Sequence, residues 1–149
     1  MMHHTHLVIA FLFSIASIKI FHITNPIFFI SIALIAGLFP DIDHPRSKIG
    51  RFFKPVSWLF EHRGFLHSIL VLPLIALILY YFNYSSFAFP IIVGYLSHLL
   101  GDALTKEGIM PLHPISKFRI RGFIRTGGIL ENILFSFLFF LSAYSLLNL

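Results

Sequence analysis

Five apolar runs occupy most of this 149-residue chain, and its charged residues lie almost entirely between them. Apolar residues make up 57% of the sequence, charged residues make up 11%, and the mean hydropathy is +0.87. Such a chain has too few polar side chains to cover itself in water, so lipid is its expected solvent. The absence of cysteine from the sequence excludes disulfide bonds and thiolate metal ligands. The runs are Leu7 to Phe21, Ile27 to Phe39, Ser68 to Tyr84, Phe87 to Gly101 and Ile129 to Leu147.

The runs predict an all-α membrane protein with about five transmembrane helices, folded as one domain over residues 1–149. The first run has neither basic residues before it nor a small-residue cleavage site after it, so we expect a retained helix rather than a signal peptide. The first two runs are shorter than the roughly 20 residues of a usual span. To cross the bilayer, these two runs must include flanking residues or thin the bilayer locally, unless one of them is a re-entrant segment that does not cross.

Positive charge is distributed unequally between the two sides of this five-span arrangement. Ten of the 11 lysines and arginines fall in the loops Asp41 to Phe65 and Lys106 to Arg125, and only Lys19 lies towards the opposite side. Loops rich in lysine and arginine stay in the cytoplasm, so we expect both long loops and the N-terminus there. Because topology and anionic lipid explain these charges, the bilayer is an expected partner and nucleic acid is not.

The same side collects imidazoles and carboxylates, which are the ligands of zinc, manganese and iron. They lie at the ends of all five predicted helices. Two of them, His98 and Asp102, are four residues apart and therefore project from one side of a helix. We expect the two long loops to complete a site for one or two divalent metal ions, zinc first, with manganese or iron as alternatives. The candidate ligands are His6, Asp41, Asp43, His62, His67, His98, Asp102 and Glu131.

Most of these residues also have a structural explanation. A single histidine more often makes a hydrogen bond at the membrane interface than a bond to a metal. Asp41 follows Pro40 and could simply cap the chain there, and Arg63 could contact a lipid headgroup. Asp102 is harder to explain in this way, because carboxylates near the membrane are costly to bury and are usually functional.

Three motifs follow one another in register. They are Pro40-Asp41-Ile42-Asp43-His44-Pro45, then His62-Arg63-Gly64-Phe65-Leu66-His67-Ser68, then Gly94 to Thr105 with its His98 and Asp102. In these motifs the chain resembles the YdjM-type family of bacterial membrane proteins, which are described as metal-dependent hydrolases. The resemblance extends from His6 to Glu131 and implies a multi-pass protein of the bacterial inner membrane.

That family is in turn similar to zinc-dependent phospholipase C and to P1-type nuclease, which are all-helical enzymes with a cluster of three zinc ions. The resemblance implies metal binding by His6, His62, His98, Asp102 and one of the pair Asp41 and Asp43. Those enzymes also use an N-terminal tryptophan and a second, late His-x-x-x-acid pair. This chain has only Glu131 late, so one or two ions are expected in place of three.

These features together predict a hydrolase that cleaves a phosphoester of a membrane lipid or lipid-linked substrate with a metal-activated water. Asp41 or Asp43 would deprotonate the water, and Arg63 would neutralise charge on the phosphate. Hydrolysis of a carboxylic ester or an amide by the same water is left open. Two functions without hydrolysis are also left open, in which the metal is transported or only stabilises a regulatory membrane protein.

Overall fold

A computed structural model describes residues 1–43 and 64–148, without the side chain of Asp43. Five α-helices account for most of this part of the chain, and short 3-10 turns stand at Phe39–Asp43, Phe65–His67 and Ser85–Phe87. The helices are α1 (His3–Phe21), α2 (Pro26–Leu38), α3 (Val71–Tyr81), α4 (Ala88–Ala103) and α5 (Ile129–Leu147). Each helix occupies one of the five apolar runs.

The all-helical prediction is confirmed, since the described residues contain no β-strand. Three helical segments are long and apolar enough to cross a membrane, namely His3–Phe21, Ser85–Ala103 and Ile129–Leu147. The helices α2 and α3 are shorter, with 13 and 11 residues. A helix rises about 1.5 Å per residue, so neither covers the ~30 Å of a hydrocarbon core by itself. The span count of five stays a prediction.

Local sequence explains where α2 begins and ends. The side chain of Asn25 accepts a hydrogen bond from the N–H of Phe28 at 3.2 Å, and Pro26 occupies the first helical position. Both features are typical of a helix start. At the other end, Pro40 interrupts the helical pattern, and the chain tightens into the 3-10 turn Phe39–Asp43. This turn carries Asp41 to the end of the bundle.

Helix α4 packs against both α1 and α2, and α1 also packs against α5. Small residues let α2 and α4 approach closely, as is common between membrane helices. A Cβ atom added at Gly94 would lie 2.0 Å from the carbonyl oxygen of Ala33, and one added at Gly37 would lie 3.0 Å from Cβ of Ala10. Side chains near the end of α4 are therefore held within a few ångströms of α1 and α2.

The basic segment between α4 and α5 folds back on itself beside the end of α4. Ile109 and Ile120 exchange two backbone hydrogen bonds of 3.0 and 2.9 Å, and the N–H of Lys106 donates to the carbonyl of Ile124 at 2.9 Å. The carbonyl of Pro111 accepts from the N–H of Ile69 at 2.9 Å. The second predicted long loop is thus packed on the helix ends, while most of the first, residues 44–63, lies outside the described residues.

Candidate metal centre

Five side chains from four helix ends meet at one end of the bundle, and we refer to them as the His/Asp cluster. His6 lies in the first turns of α1, while His98 and Asp102 lie in the last turns of α4. The other two stand in 3-10 turns, Asp41 after α2 and His67 before α3. Four members are buried, with 0–1% of the side chain exposed, and Asp41 is the most accessible at 16%.

Asp102 lies between three imidazoles. Its Oδ1 is 3.3 Å from Nε2 of His6, and its Oδ2 is 3.6 Å from Nε2 of His67 and 3.9 Å from Nε2 of His98. The N-terminal amine of Met1 also donates to Oδ1. A buried carboxylate needs such partners, because an uncompensated charge in an apolar bundle is costly.

The hydrogen bond from His98 to Gly37 determines the protonation of this imidazole. Nδ1 of His98 lies 2.8 Å from the carbonyl oxygen of Gly37, and a carbonyl can only accept, so Nδ1 carries the proton. In the neutral ring, Nε2 then keeps its lone pair and faces the cluster, 3.3 Å from Nε2 of His67 and 3.9 Å from Oδ1 of Asp41. Metal-binding histidines are usually oriented by this kind of bond to a backbone carbonyl.

His6 is packed tightly, with Nε2 3.3 Å from Oδ1 of Asp102 and Nδ1 without a hydrogen bond within the described part of the chain. Its ring stacks on that of His98 with the centroids 3.9 Å apart and the planes 11° from parallel. Gly101 leaves the space for it, because a Cβ atom there would lie 3.1 Å from Nδ1 of His6. A buried ring nitrogen without a hydrogen bond is costly, and the carboxylate beside Nε2 would allow His6 and Asp102 to share a cation.

Two groups of atoms in the cluster could each hold a metal ion. One comprises His6, His98 and Asp102, the other comprises Asp41, His67 and His98, and within each group the ligand atoms lie within 4.8 Å of one another. Two ligand atoms that are each about 2.0–2.2 Å from a zinc ion lie at most about 4.4 Å apart. The separations of 3.3–3.9 Å that link the five residues meet this condition. His98 belongs to both groups, but only its Nε2 has a free lone pair, so this residue binds one ion at a time.

Tyr95 supports the turn that presents His67. Its hydroxyl lies 2.7 Å from the carbonyl of Leu66 and 3.1 Å from that of Ser68, and it donates to this pair. The hydroxyl of Ser68 in turn donates to the carbonyl of Pro111 at 2.9 Å. The residues on either side of His67 are thereby anchored to α4 and to the segment between α4 and α5.

Glu131, another predicted ligand, lies in a separate network. It is fully buried, and its carboxylate accepts hydrogen bonds from the N–H groups of Met2 and Gly127, both at 2.7 Å. It belongs to neither group of potential metal ligands. The other predicted site residues, His62, Arg63 and the side chain of Asp43, lie outside the described residues, and their roles stay predictions.

Three residues that support the cluster were not among the sequence candidates. They are Gly37, Tyr95 and Gly101. The sequence signal for Gly101 was its position between His98 and Asp102, where a small residue leaves room for a neighbouring ring. The roles of Gly37 and Tyr95 depend on a backbone carbonyl and on a turn distant in sequence, so no local pattern indicates them.

Comparison with known proteins places these observations in a family context. A family model described as YdjM inner membrane protein matches residues 1–148. The inner membrane protein YdjM of Escherichia coli (strain K12) is 36% identical over 99 residues, which is 59% of this chain and 50% of that protein. The Shigella flexneri protein of the same name matches with the same identity and the same coverage. The chain thus matches about half the length of these two relatives.

A relative with wider coverage is the uncharacterized protein YvsG of Bacillus subtilis (strain 168). It is 33% identical over 126 residues, which is 80% of this chain and 79% of that protein. No solved structure matches the chain. The similarity therefore supports an inner membrane protein, and the names of the relatives state no reaction.

Proposed function

The chain belongs to the YdjM inner membrane protein family, and from this membership and the His/Asp cluster we propose that it is a membrane-bound, metal-dependent hydrolase. The observation that carries the proposal is that His98 belongs to two groups of potential ligand atoms, in which every residue but Asp41 is buried. A membrane protein rarely buries three imidazoles and a carboxylate together without a functional reason.

The chemistry of the cluster favours zinc, with manganese or iron as alternatives. All its ligand atoms are imidazole nitrogens and carboxylate oxygens, which these ions accept. His98 would bind one ion through Nε2, together with His6 and Asp102, and Asp41 and His67 would complete that site or hold a second ion without His98. Gly37 would keep His98 in the tautomer that binds, since its carbonyl takes the Nδ1 proton.

A divalent ion at this position would lower the pKa of a water molecule towards about 7 and polarise a phosphoryl oxygen. Asp41 has the most accessible side chain of the cluster, 16% exposed, which supports it as the group that would accept the proton of that water. Asp43 is the alternative base on sequence grounds. Arg63 is the candidate that would neutralise charge on the phosphate.

The position of the cluster favours a lipid or lipid-linked phosphoester as the substrate. It lies at the ends of the membrane-spanning candidates α1 and α4. A phosphoester at the headgroup level of the bilayer could reach it while its apolar part stays in the membrane. Hydrolysis of a carboxylic ester or amide is the closest alternative reaction.

A second function is favoured by the near-complete burial of the cluster. With four of its side chains only 0–1% exposed, a metal could tie α1, α2, α3 and α4 together in a regulatory or transport protein without hydrolysis. Structural zinc sites are closed in this way, whereas catalytic sites keep one position open.

The test combines metal content with turnover. Protein purified in detergent and loaded with zinc or manganese is incubated with phosphatidic acid or phosphatidylglycerol in mixed micelles, and the release of phosphate or headgroup is measured. We expect His98→Ala to lose both metal and turnover, and Asp41→Asn to lose most of the turnover. The control His22→Ala changes an exposed histidine at the far end of α1 and should keep both.

The remaining outcomes separate the two functions. Stoichiometric metal without turnover of any phosphoester, carboxylic ester or amide substrate would favour the structural role. Failure to bind metal after reconstitution, in protein that retains its helical content, would overturn both.

A further inference from the structure

An apolar groove runs along the outside of α2 and α4, between these helices and α3. Its volume is about 310 Å³. The described residues that line it have aliphatic and aromatic side chains, among them Ile32, Ile35, Ala36, Phe39, Ile91 and Tyr95. This volume lies at the lower end of the ~300–1,000 Å³ typical of ligand sites.

The groove has a buried floor and an exposed rim. Ala36 and Tyr95 form the floor, with 6% and 0% of their surface exposed. Ile35 and Phe39 stand at the rim, with 67% and 41% exposed. Because α2 and α4 belong to an inner membrane protein, an apolar opening between them faces lipid rather than water.

One end of the groove adjoins the His/Asp cluster. Ala36 precedes Gly37, the residue that orients His98, and Phe39 lies two residues before Asp41. Tyr95 lines the groove with its ring, while its hydroxyl holds the carbonyls on either side of His67. The wall of the groove is therefore continuous with the supports of three cluster residues.

The other end of the groove points away from the cluster and into the depth of the bundle. On the α4 side its lining residues are Tyr95, then Ile91, then Phe87, one helical turn apart. The eight residue steps from Phe87 to Tyr95 correspond to about 12 Å along a helix axis. A flexible chain lying in the groove would thus run roughly parallel to α4, as the acyl chains of a bilayer do.

We propose that the groove is an acyl-chain subsite, and that the substrate is a lipid that enters sideways from the bilayer with its phosphate at the His/Asp cluster. This inference rests on the proposed hydrolase function. An acyl chain fits better than a partner helix, because a helix is about 10–12 Å across and too wide for this volume. A soluble substrate would have no use for a groove without polar lining.

The test maps where a lipid chain lies. Purified protein in micelles doped with phosphatidic acid carrying a diazirine in one acyl chain is irradiated, and the adducts are located by peptide mass spectrometry. We expect adducts to concentrate in residues 32–39 and 87–95, several-fold above those on the exposed face of α5 around Phe137 and Phe140.

Two adjacent half-buried residues provide a matched pair of variants. Ile91→Trp fills the groove, whereas Ile92→Trp fills a different apolar pocket of about 370 Å³, lined in part by Leu72 and Ala76. Ile91→Trp should reduce the groove adducts several-fold and keep the metal content of the parent, while Ile92→Trp should leave the groove adducts unchanged.

Each outcome bears on one of the two proposals. Adducts spread evenly over all exposed helix faces of the parent, or equally reduced by both variants, would overturn the acyl-chain subsite, whatever the turnover. Adducts that concentrate in the groove and are reduced only by Ile91→Trp would support the acyl-chain subsite. This conclusion would hold even if the protein showed neither metal binding nor turnover and the hydrolase proposal were overturned. If Ile91→Trp does not fold, the adduct map of the parent alone still decides.

Discussion

The imidazole of His6 lies against the backbone of Gly101, so closely that a Cβ atom at position 101 would come within 3.1 Å of Nδ1. The same ring stacks on His98 at a centroid distance of 3.9 Å. A histidine held between a helix backbone and a second histidine has little freedom to move. Its position is therefore sensitive to the size of residue 101.

We expect Gly101→Val to weaken zinc binding on the order of 10-fold, the lower range seen when supports of a metal ligand are altered. The added side chain would push the His6 ring away from Asp102. Leu100→Val is the control, because Leu100 is 51% exposed on the same helix and has no cluster contact to lose. Competition with a zinc-binding dye measures both affinities, and equal values would show that the placement of His6 is unimportant for the metal.

The close approach of α2 and α4 predicts a graded effect on stability. Gly94→Ala would place a methyl group 2.0 Å from the backbone oxygen of Ala33, which can only be relieved by moving a helix. Gly37→Ala would meet the Cβ atom of Ala10 in α1 at 3.0 Å, a milder conflict on the other contact of α2. We expect a loss of about 1–3 kcal/mol or more for the first and less for the second, as for overpacked cores. Thermal unfolding in detergent, followed by circular dichroism, would contradict this if the two variants were equally stable.

The network of Glu131 predicts that this residue supports the fold more than the metal. Glu131→Ala removes the acceptor of two part-buried N–H groups, those of Met2 and Gly127, and each should cost less than the ~1–3 kcal/mol of a fully buried unsatisfied group. Glu131→Gln keeps one acceptor and should lose less. Elemental analysis should find the same metal content in the Glu131→Gln variant as in the parent protein. Loss of metal at unchanged stability would instead assign Glu131 as a ligand.

The absence of cysteine allows a clean test of topology. Single substitutions Ser47→Cys, Ser86→Cys and Lys117→Cys are treated in intact cells with a maleimide that cannot cross membranes. With five spans, only the cysteine at position 86 should react, because the other two positions lie in the loops expected in the cytoplasm. Reaction at both positions 47 and 86 would show that α3 does not cross the bilayer, whereas reaction at positions 47 and 117 without position 86 would show the opposite orientation.

Much of the fold could be predicted from local patterns. The apolar runs determined where the five helices lie, and α5 was predicted with its observed bounds, Ile129–Leu147. The prediction for α1 began at Leu7, whereas the helix begins at His3, where the carbonyl of Met2 accepts from the N–H of His6 at 3.2 Å. The residue before this start, Met2, donates its N–H to the carboxylate of Glu131, which is more than 100 residues away in the sequence. Hydropathy could not indicate it, because the first residues are polar.

Some features of the candidate ligands could be predicted from the sequence, and others needed the tertiary structure. The pairing of His98 with Asp102 followed from the helical repeat alone, since residues four apart share one side of a helix. The chain by itself thus determined an apolar helical bundle with imidazoles and carboxylates, which could bind a metal ion, gathered at its helix ends. Only the tertiary structure decided that His98 belongs to two groups of potential metal ligands and that the carbonyl of Gly37 orients it. It also decided that Glu131 accepts hydrogen bonds from backbone N–H groups outside the His/Asp cluster. These contacts join residues distant in the sequence, and their distances depend on how closely the glycines let the helices pack.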